Sequence, residues 1–97
     1  MGERRMPGSK GRAVLPQVPL SDRAEEAPHS ARVGERIVEA SEPLPVLVWL
    51  RAKVSGEFRA EGHAIAWTDR QVHVRYLHRS GRHEGFAWVW ANAVTRR

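Results

Sequence analysis

The chain has 97 residues, enough for one small domain and some tail, and its 16 Lys and Arg against 11 Asp and Glu give a formal charge of +5. It has no cysteine, which excludes a disulfide framework and a thiolate metal site. No apolar run approaches the ~18 residues of a membrane span, and the basic N-terminus lacks the apolar stretch of a secretory signal. We therefore expect a cytoplasmic protein without membrane attachment. Fourteen of the basic residues are arginine, a bias typical of a GC-rich bacterial genome.

The N-terminal part of the chain differs in composition from the rest. All six prolines lie at or before Pro45, and all seven aromatic residues lie at or after Trp49. Residues 1–35 have no aromatic residue and no apolar periodicity, so they bury too little apolar area to offset the entropy of ordering. We expect residues 1–43 to be a disordered or weakly structured tail and residues 44–97 to form the domain. A fragment without the tail is then expected to be as stable as the full chain.

The charge is also divided between the two parts. Residues 1–20 sum to +3 and residues 21–43 to −3, so the whole +5 lies in residues 44–97. A basic domain beside an acidic stretch favours an anionic partner, or a tail that folds back over the basic surface until a partner displaces it.

From residue 46 onward the sequence predicts strands separated by turns. Alternating or β-branched runs predict strands over residues 46–52, 59–67, 71–78 and 84–90, with a short last strand over 94–97. Turns are expected at 53–58, 68–70 and 79–82. Residues 91–93 are too short for an α-helix and suit a 3₁₀ turn. Gly62 favours a β-bulge, and residues 36–40 predict a short helix or an extra strand.

The segment AWVWANAV (87–94) resembles the closing segment of SH3-like small barrels, which include Tudor-like domains and the C-terminal domains of retroviral-type integrases. GEFRAEGHAIAW followed by QVHVRYLH is similar to the second and third strands of a Tudor-like barrel. The resemblance implies an all-β, five-stranded SH3-like barrel over residues 44–97. Such barrels bind peptides, methylated side chains, DNA and RNA, so it implies binding and no single ligand. Trp90 stands where the peptide-binding SH3 motif has proline, which disfavours recognition of Pro-rich peptides.

The face that the fourth strand buries depends on the turn that joins it to the third strand. With a two-residue turn at Ser80-Gly81, Val89 lies in the core and the aromatic residues of this strand point outward. The outward face is then lined by Gln71, His73, Arg75, Phe86, Trp88 and Trp90. With a three-residue turn that has Gly81 as a bulge, Trp88 goes inside instead. The sequence leaves both registers open, and the outward one predicts that Val89 and Val94 are buried and that Trp88 is at least half exposed.

Aromatic rings beside arginine suit base stacking and phosphate pairing, and they equally suit a protein hot spot. We therefore expect a non-enzymatic binding module for nucleic acid, with single strands preferred. The alternative is a protein-interaction module or a small accessory subunit of a larger assembly that uses the Trp-rich face. Neither the choice of DNA or RNA nor the oligomeric state is determined. The candidate binding residues are Arg51, Lys53, Arg59, His73, Arg75, Arg79, Arg82, Phe86, Trp88, Trp90, Arg96 and Arg97.

The sequence offers little that predicts catalysis or a cofactor. It contains no paired-carboxylate motif, no nucleophile elbow and no phosphate-binding loop. His78 and His83 flank the predicted hairpin turn, but the spacing fixes no third ligand beside them. We expect no catalytic residue, no cofactor and no metal site.

Overall fold

The computed structural model describes residues 15–97. These residues form five antiparallel strands in one sheet, in the order β4-β3-β2-β1-β5. The strands are β1 (Val38–Ala52), β2 (Gly56–Trp67), β3 (Gln71–Leu77), β4 (Glu84–Trp90) and β5 (Val94–Arg96). Three 3₁₀ helices complete the described chain: η1 (Leu20–Asp22), η2 (His29–Ala31) and η3 (Ala91–Ala93). The all-β architecture and the 3₁₀ turn before the last strand are confirmed, and the five-stranded sheet is compatible with a small barrel-like fold.

Strand β1 is the element whose observed bounds differ most from the predicted ones. It begins at Val38 instead of residue 46, so residues 38–40 of the predicted 36–40 element belong to a strand and none of them to a helix. The β1–β2 pairing is irregular between Glu39 and Leu44, where Pro43 lies. Proline removes a donor from the ladder and is tolerated at such an irregularity. The pairing is therefore interrupted near Pro43 without ending the strand, whereas Pro45 pairs with His63.

The core lies on the inner face of the sheet and follows the two-residue period of the strands. In β1 the side chains of Val46, Val48 and Leu50 are buried in alternation. Tyr76 of β3 is the largest fully buried side chain, and glycines lie opposite it on both neighbouring strands. At Gly85 an added Cβ would lie 2.6 Å from the Tyr76 ring, so only glycine leaves room for that ring.

Gly62, the other glycine opposite Tyr76, has a different role from the predicted one. An added Cβ at Gly62 would lie 2.4 Å from the carbonyl oxygen of Arg75, so this residue allows a close approach of two backbones. The irregularity in the β2–β3 pairing lies further along, between Ala64 and Ala66.

The β3–β4 hairpin has the two-residue register. Val72 pairs with Val89, and His73 pairs with Trp88. Gly81 in the turn has a φ of 77°, a conformation that favours glycine. Val89 is buried, as this register predicts, and Val94 is partly buried against the core. The outer face of the hairpin therefore carries the aromatic residues of β4.

Residues 16–32, which we call the bridging segment, lie along the sheet between the edge strand β4 and the end of β1. Its backbone bonds to β4 at both ends of that strand, with Val18 N to Glu84 O at 3.0 Å and Ala27 N to Trp88 O at 2.8 Å. Glu25 N donates to Arg51 O of β1 at 2.7 Å. The bridging segment thus covers the exposed edge of β4, which would otherwise present unpaired backbone groups.

The packing of the bridging segment differs from the disorder expected over residues 1–35. Val18, Ala24 and Ala27 are buried against the sheet. The bridging segment is held by a few small side chains and by backbone hydrogen bonds, and neither produces a periodic apolar pattern in the sequence. The composition therefore predicted a tail. The expected tail over residues 1–14 lies outside the described residues.

Candidate binding surfaces

Trp88 lies at the centre of the outer face of the β3–β4 hairpin, but it is not open to solvent. The His73 ring stacks on its indole with ring centroids 4.7 Å apart and planes 5° apart. The Arg32 guanidinium of the bridging segment lies over the same ring system, 4.4 Å from the centroid. Trp88 is therefore only partly exposed. The prediction that it is at least half exposed is wrong, because the bridging segment covers it.

Three hydrogen bonds fix the bridging segment on this face. Gln71 is fully buried, its Nε2 donates to the Pro28 carbonyl at 3.2 Å, and its Oε1 accepts from Arg32 Nη1 at 2.9 Å. Glu26 Oε2 accepts from the backbone N–H of Trp88 at 2.7 Å. Burial lowers the pKa of His73, and the charge of Arg32 lowers it further, against an opposing effect of Glu26. The ring is thus favoured in its neutral form.

Arg75, on the same outer face, is also engaged. Its Nε lies 3.6 Å from Glu84 Oε2, and both side chains are mostly buried. Phe86, which pairs with Arg75 across the hairpin, remains 37% exposed. Of the predicted residues on this face, Phe86 and Trp90 are the ones that the bridging segment leaves open to a partner.

A second surface is a groove between β1 and the end of β4, floored in part by the bridging segment. Its volume is about 300 Å³, and Trp49 and Trp90 are among its lining residues. These side chains are 55% and 41% exposed. Glu25, Glu26 and Glu57 are also among its lining residues. Trp49 was not among the predicted residues, although Val48 and Leu50 point inward and the alternation of β1 places Trp49 outward.

The third surface is formed by the β1–β2 turn, the β3–β4 turn and the chain just after η1. We call its exposed cations, Arg23, Lys53, Arg79 and Arg82, the basic tip. Arg79 Nη1 donates to Ser55 O at 3.0 Å, which joins the two turns. Arg23 follows Asp22, whose carboxylate binds the β1–β2 turn. No carboxylate of the described residues forms an ion pair with any of the four cations.

The remaining predicted arginines lie outside both the basic tip and the hairpin face. Arg51 pairs with Glu57 at 3.2 Å on the exposed surface of β1 and β2. Arg59 is exposed on β2, and Arg96 is exposed on β5. Arg97 is held by carbonyl groups, with Nε to Val46 O and Nη2 to Gly62 O, both at 3.0 Å. The predicted residues are therefore distributed over several surfaces and do not form one patch.

Asp22 anchors η1 to both turns of the basic tip. It is 6% exposed. Its Oδ1 accepts from Val54 N at 2.9 Å and Ser55 N at 2.8 Å, while its Oδ2 accepts from Ser55 Oγ and from His78 Nε2 at 2.8 Å. The Ser55 hydroxyl and these further donors hold the pKa of Asp22 far below its ordinary value, despite an opposing effect of burial.

Although the same residues contain an Asp, a His and a Ser, they are not arranged as a catalytic triad. In a catalytic triad one imidazole nitrogen is hydrogen-bonded to the carboxylate and the other nitrogen to the nucleophile. Here both Asp22 and Ser55 lie against His78 Nε2, and His78 Nδ1 accepts from the Ser80 backbone N–H at 3.2 Å. We call the contacts of Asp22 with Ser55 and His78 the Asp22 latch. Nothing in the sequence near Asp22 indicates a partner more than 30 residues away.

No family model, no curated protein and no solved structure matches this chain. Within residues 15–97 there is no group of three or more His, Cys, Asp or Glu side chains that could hold a metal ion. None of the helices in this range is long and apolar enough to cross a bilayer.

Proposed function

We propose that the protein is a non-enzymatic, cytoplasmic binding module of the SH3-like class that binds nucleic acid through the basic tip. The observation that carries this proposal is the grouping of four exposed cations around two touching turns, with no described carboxylate paired to them. Cations of this kind neutralise backbone phosphates and release condensed counterions, which favours association without a strong sequence preference.

An aromatic side chain lies beside the basic tip. Phe86 and Arg23 line the same depression, of about 450 Å³, together with Leu20 and the buried Tyr76. A phosphate chain bound at the tip would bring a base within reach of the exposed part of the Phe86 ring. Stacking on an aromatic ring needs an unpaired base, so single strands are the preferred ligand. The Trp88 ring, in contrast, is covered by the Arg32 guanidinium and stacked on His73, so it is not available to a base.

The test is fluorescence anisotropy of a labelled oligonucleotide of about 12 nucleotides, measured between about 50 and 200 mM salt. Lys53→Ala and Arg82→Ala are the informative variants, because neither side chain has a hydrogen bond or ion pair with the described residues. Each should weaken binding and flatten the salt dependence by about 0.7 in the logarithmic slope. Phe86→Ala should weaken binding with little change in that slope.

Arg96→Ala is the matched control, since it removes one exposed positive charge from β5, outside the tip. It should leave the slope close to that of the unmodified protein. Absence of binding to both DNA and RNA at about 50 mM salt would refute the proposal. Equal losses in the Arg96 and tip variants would show that net charge, and not the tip, attracts the polymer.

The second candidate function, a protein-interaction module, is favoured by a different observation, the two exposed tryptophans at one groove.

A further inference from the structure

The groove between β1 and β4 combines exposed tryptophan side chains with acidic residues. Trp49 and Trp90 are the most exposed tryptophans of the chain, and both line the groove. Exposed aromatic rings grouped at one concave surface are typical of interaction sites. The groove's volume of about 300 Å³ is at the small end of ligand sites, which fits one or two side chains of a bound segment.

The charge of the groove is opposite to that of the protein as a whole. Among the described residues that line it, Glu25, Glu26 and Glu57 are acidic and Arg51 is the one cation. Glu25 is held at the groove by its backbone bond to Arg51, while its exposed side chain has no hydrogen bond or ion pair with the described residues. Glu26 is fixed by its bond to the Trp88 N–H. The groove therefore repels phosphate groups and attracts cations.

The existing ion pair in the groove is open to exchange. Arg51 and Glu57 are 3.2 Å apart, but their side chains are 62% and 63% exposed. An exposed ion pair of this kind contributes little to stability. Breaking it therefore costs little free energy, and an incoming cation can replace Arg51 beside Glu57. Tryptophan faces add attraction for the same chemistry, because a guanidinium or ammonium over an indole ring is stabilised by the ring quadrupole.

From the charge and the paired tryptophans, we propose that this groove docks an extended segment of a partner protein that inserts an arginine or lysine side chain between Trp49 and Trp90. The carboxylates of Glu25 and Glu57 neutralise the inserted cation. The apolar methylene groups of the inserted side chain pack on the two tryptophan rings. This site is separate from the basic tip and does not depend on nucleic-acid binding.

The test uses the full chain and a short labelled peptide with two arginines flanked by alanine and glycine, followed by anisotropy and by the intrinsic tryptophan fluorescence. A peptide of the same length with glutamine in place of arginine is the ligand control. The arginine peptide should bind, and the glutamine peptide should bind at least about five-fold more weakly, as expected for loss of a cation–π contact and its charge pair.

Trp90→Ala should weaken binding of the arginine peptide by about five-fold or more, and Glu25→Gln by about two- to five-fold. Glu25→Gln keeps the shape of an exposed side chain, so it remains informative if a tryptophan variant does not fold. The matched controls are Phe86→Ala, an exposed aromatic residue outside the groove, and Glu42→Gln, an exposed glutamate outside it. Both should bind the peptide as the unmodified protein does.

Equal binding of the two peptides, or equal losses in the groove and control variants, would overturn the proposal. Binding of an oligonucleotide that is lost in Trp90→Ala but kept in Lys53→Ala would also overturn it, because the groove would then be a nucleic-acid site. Failure of the basic tip to bind nucleic acid leaves the peptide result unaffected, so the two proposals fail independently.

Discussion

Asp22→Ala should strongly destabilise the protein, although Asp22 lies in the part of the sequence that resembles a tail. The carboxylate accepts four hydrogen bonds from Val54, Ser55 and His78. All four bonds are part-buried, and the two backbone donors belong to the β1–β2 turn beside the exposed Val54, where water can replace the carboxylate. The two side-chain donors are part-buried and would lose their acceptor. Two charge-assisted bonds at about 1.5 kcal/mol each give a loss of about 3 kcal/mol.

A loss of this size is a large part of the roughly 5–15 kcal/mol by which small domains are stable. It can be measured by urea unfolding followed by tryptophan fluorescence at pH 7. Asp69→Ala is the matched control, since Asp69 is an exposed aspartate in the β2–β3 turn, and it should change the free energy of unfolding by less than about 0.5 kcal/mol. A similarly small change for Asp22→Ala would refute the Asp22 latch as a stabilising contact.

The same latch predicts a pH dependence with a definite sign. The pKa of Asp22 is lowered on folding from its ordinary value of 3.8, so at low pH the unfolded chain binds a proton that the folded chain does not. The stabilisation is complete above about pH 5 and is lost as the pH falls through the ordinary value and below. Asp22→Ala should therefore lose less stability than the unmodified protein between about pH 5 and 3. Parallel losses in the two proteins would contradict this account.

Three further predictions concern the packing of the sheet and of the bridging segment. Gly62→Ala should cost about 1–3 kcal/mol in urea unfolding, because the new Cβ meets a backbone carbonyl that cannot move aside; a neutral result would mean that the strands separate easily. Arg32→Ala should raise the pKa of His73 in an NMR titration and shift the Trp88 emission to the red, since both lose a covering cation; an unchanged pKa would place His73 outside its influence. A fragment of residues 37–97 should unfold at lower urea than the full chain, because it lacks the buried Val18 and the Asp22 latch; equal midpoints would support the sequence-based expectation of an independent domain.

The strands could be predicted from the sequence because each one alternates over a sufficient length. β4 and η3 have the predicted bounds, since Phe86, Trp88 and Trp90 alternate with small residues and the three residues that follow are too few for an α-helix. The register could not be chosen, because Gly81 suits the two-residue turn and the bulged turn equally well. Only the packed core, in which Val89 faces Val72, decides between them.

The position of the candidate binding surfaces was harder to predict, for a physical reason. Exposure of an aromatic residue depends on what covers it, and Trp88 is covered by a segment more than 50 residues away in sequence. The alternation of β1 would have predicted that Trp49 points outward. The basic tip could not be predicted in this way, because its two turns are far apart in sequence and meet only in the folded protein. Composition could identify cations and aromatic residues but not their neighbours.

The bridging segment also changes what the charge distribution means. In the sequence, residues 21–43 carry −3 beside a basic domain, which favours an acidic tail that masks a basic surface. In the structure, the acidic residues of this stretch have separate positions: Asp22 is buried under the tip, and Glu25 and Glu26 line the groove between β1 and β4. The tip cations Lys53, Arg79 and Arg82 lie in the turns that join the strands and not in the bridging segment. Loss of the bridging segment would therefore remove two of the three groove glutamates but only one of the four tip cations, Arg23. The negative charge of the groove thus depends on this segment more than the positive charge of the tip does, although the Asp22 latch that holds the two turns would be lost as well.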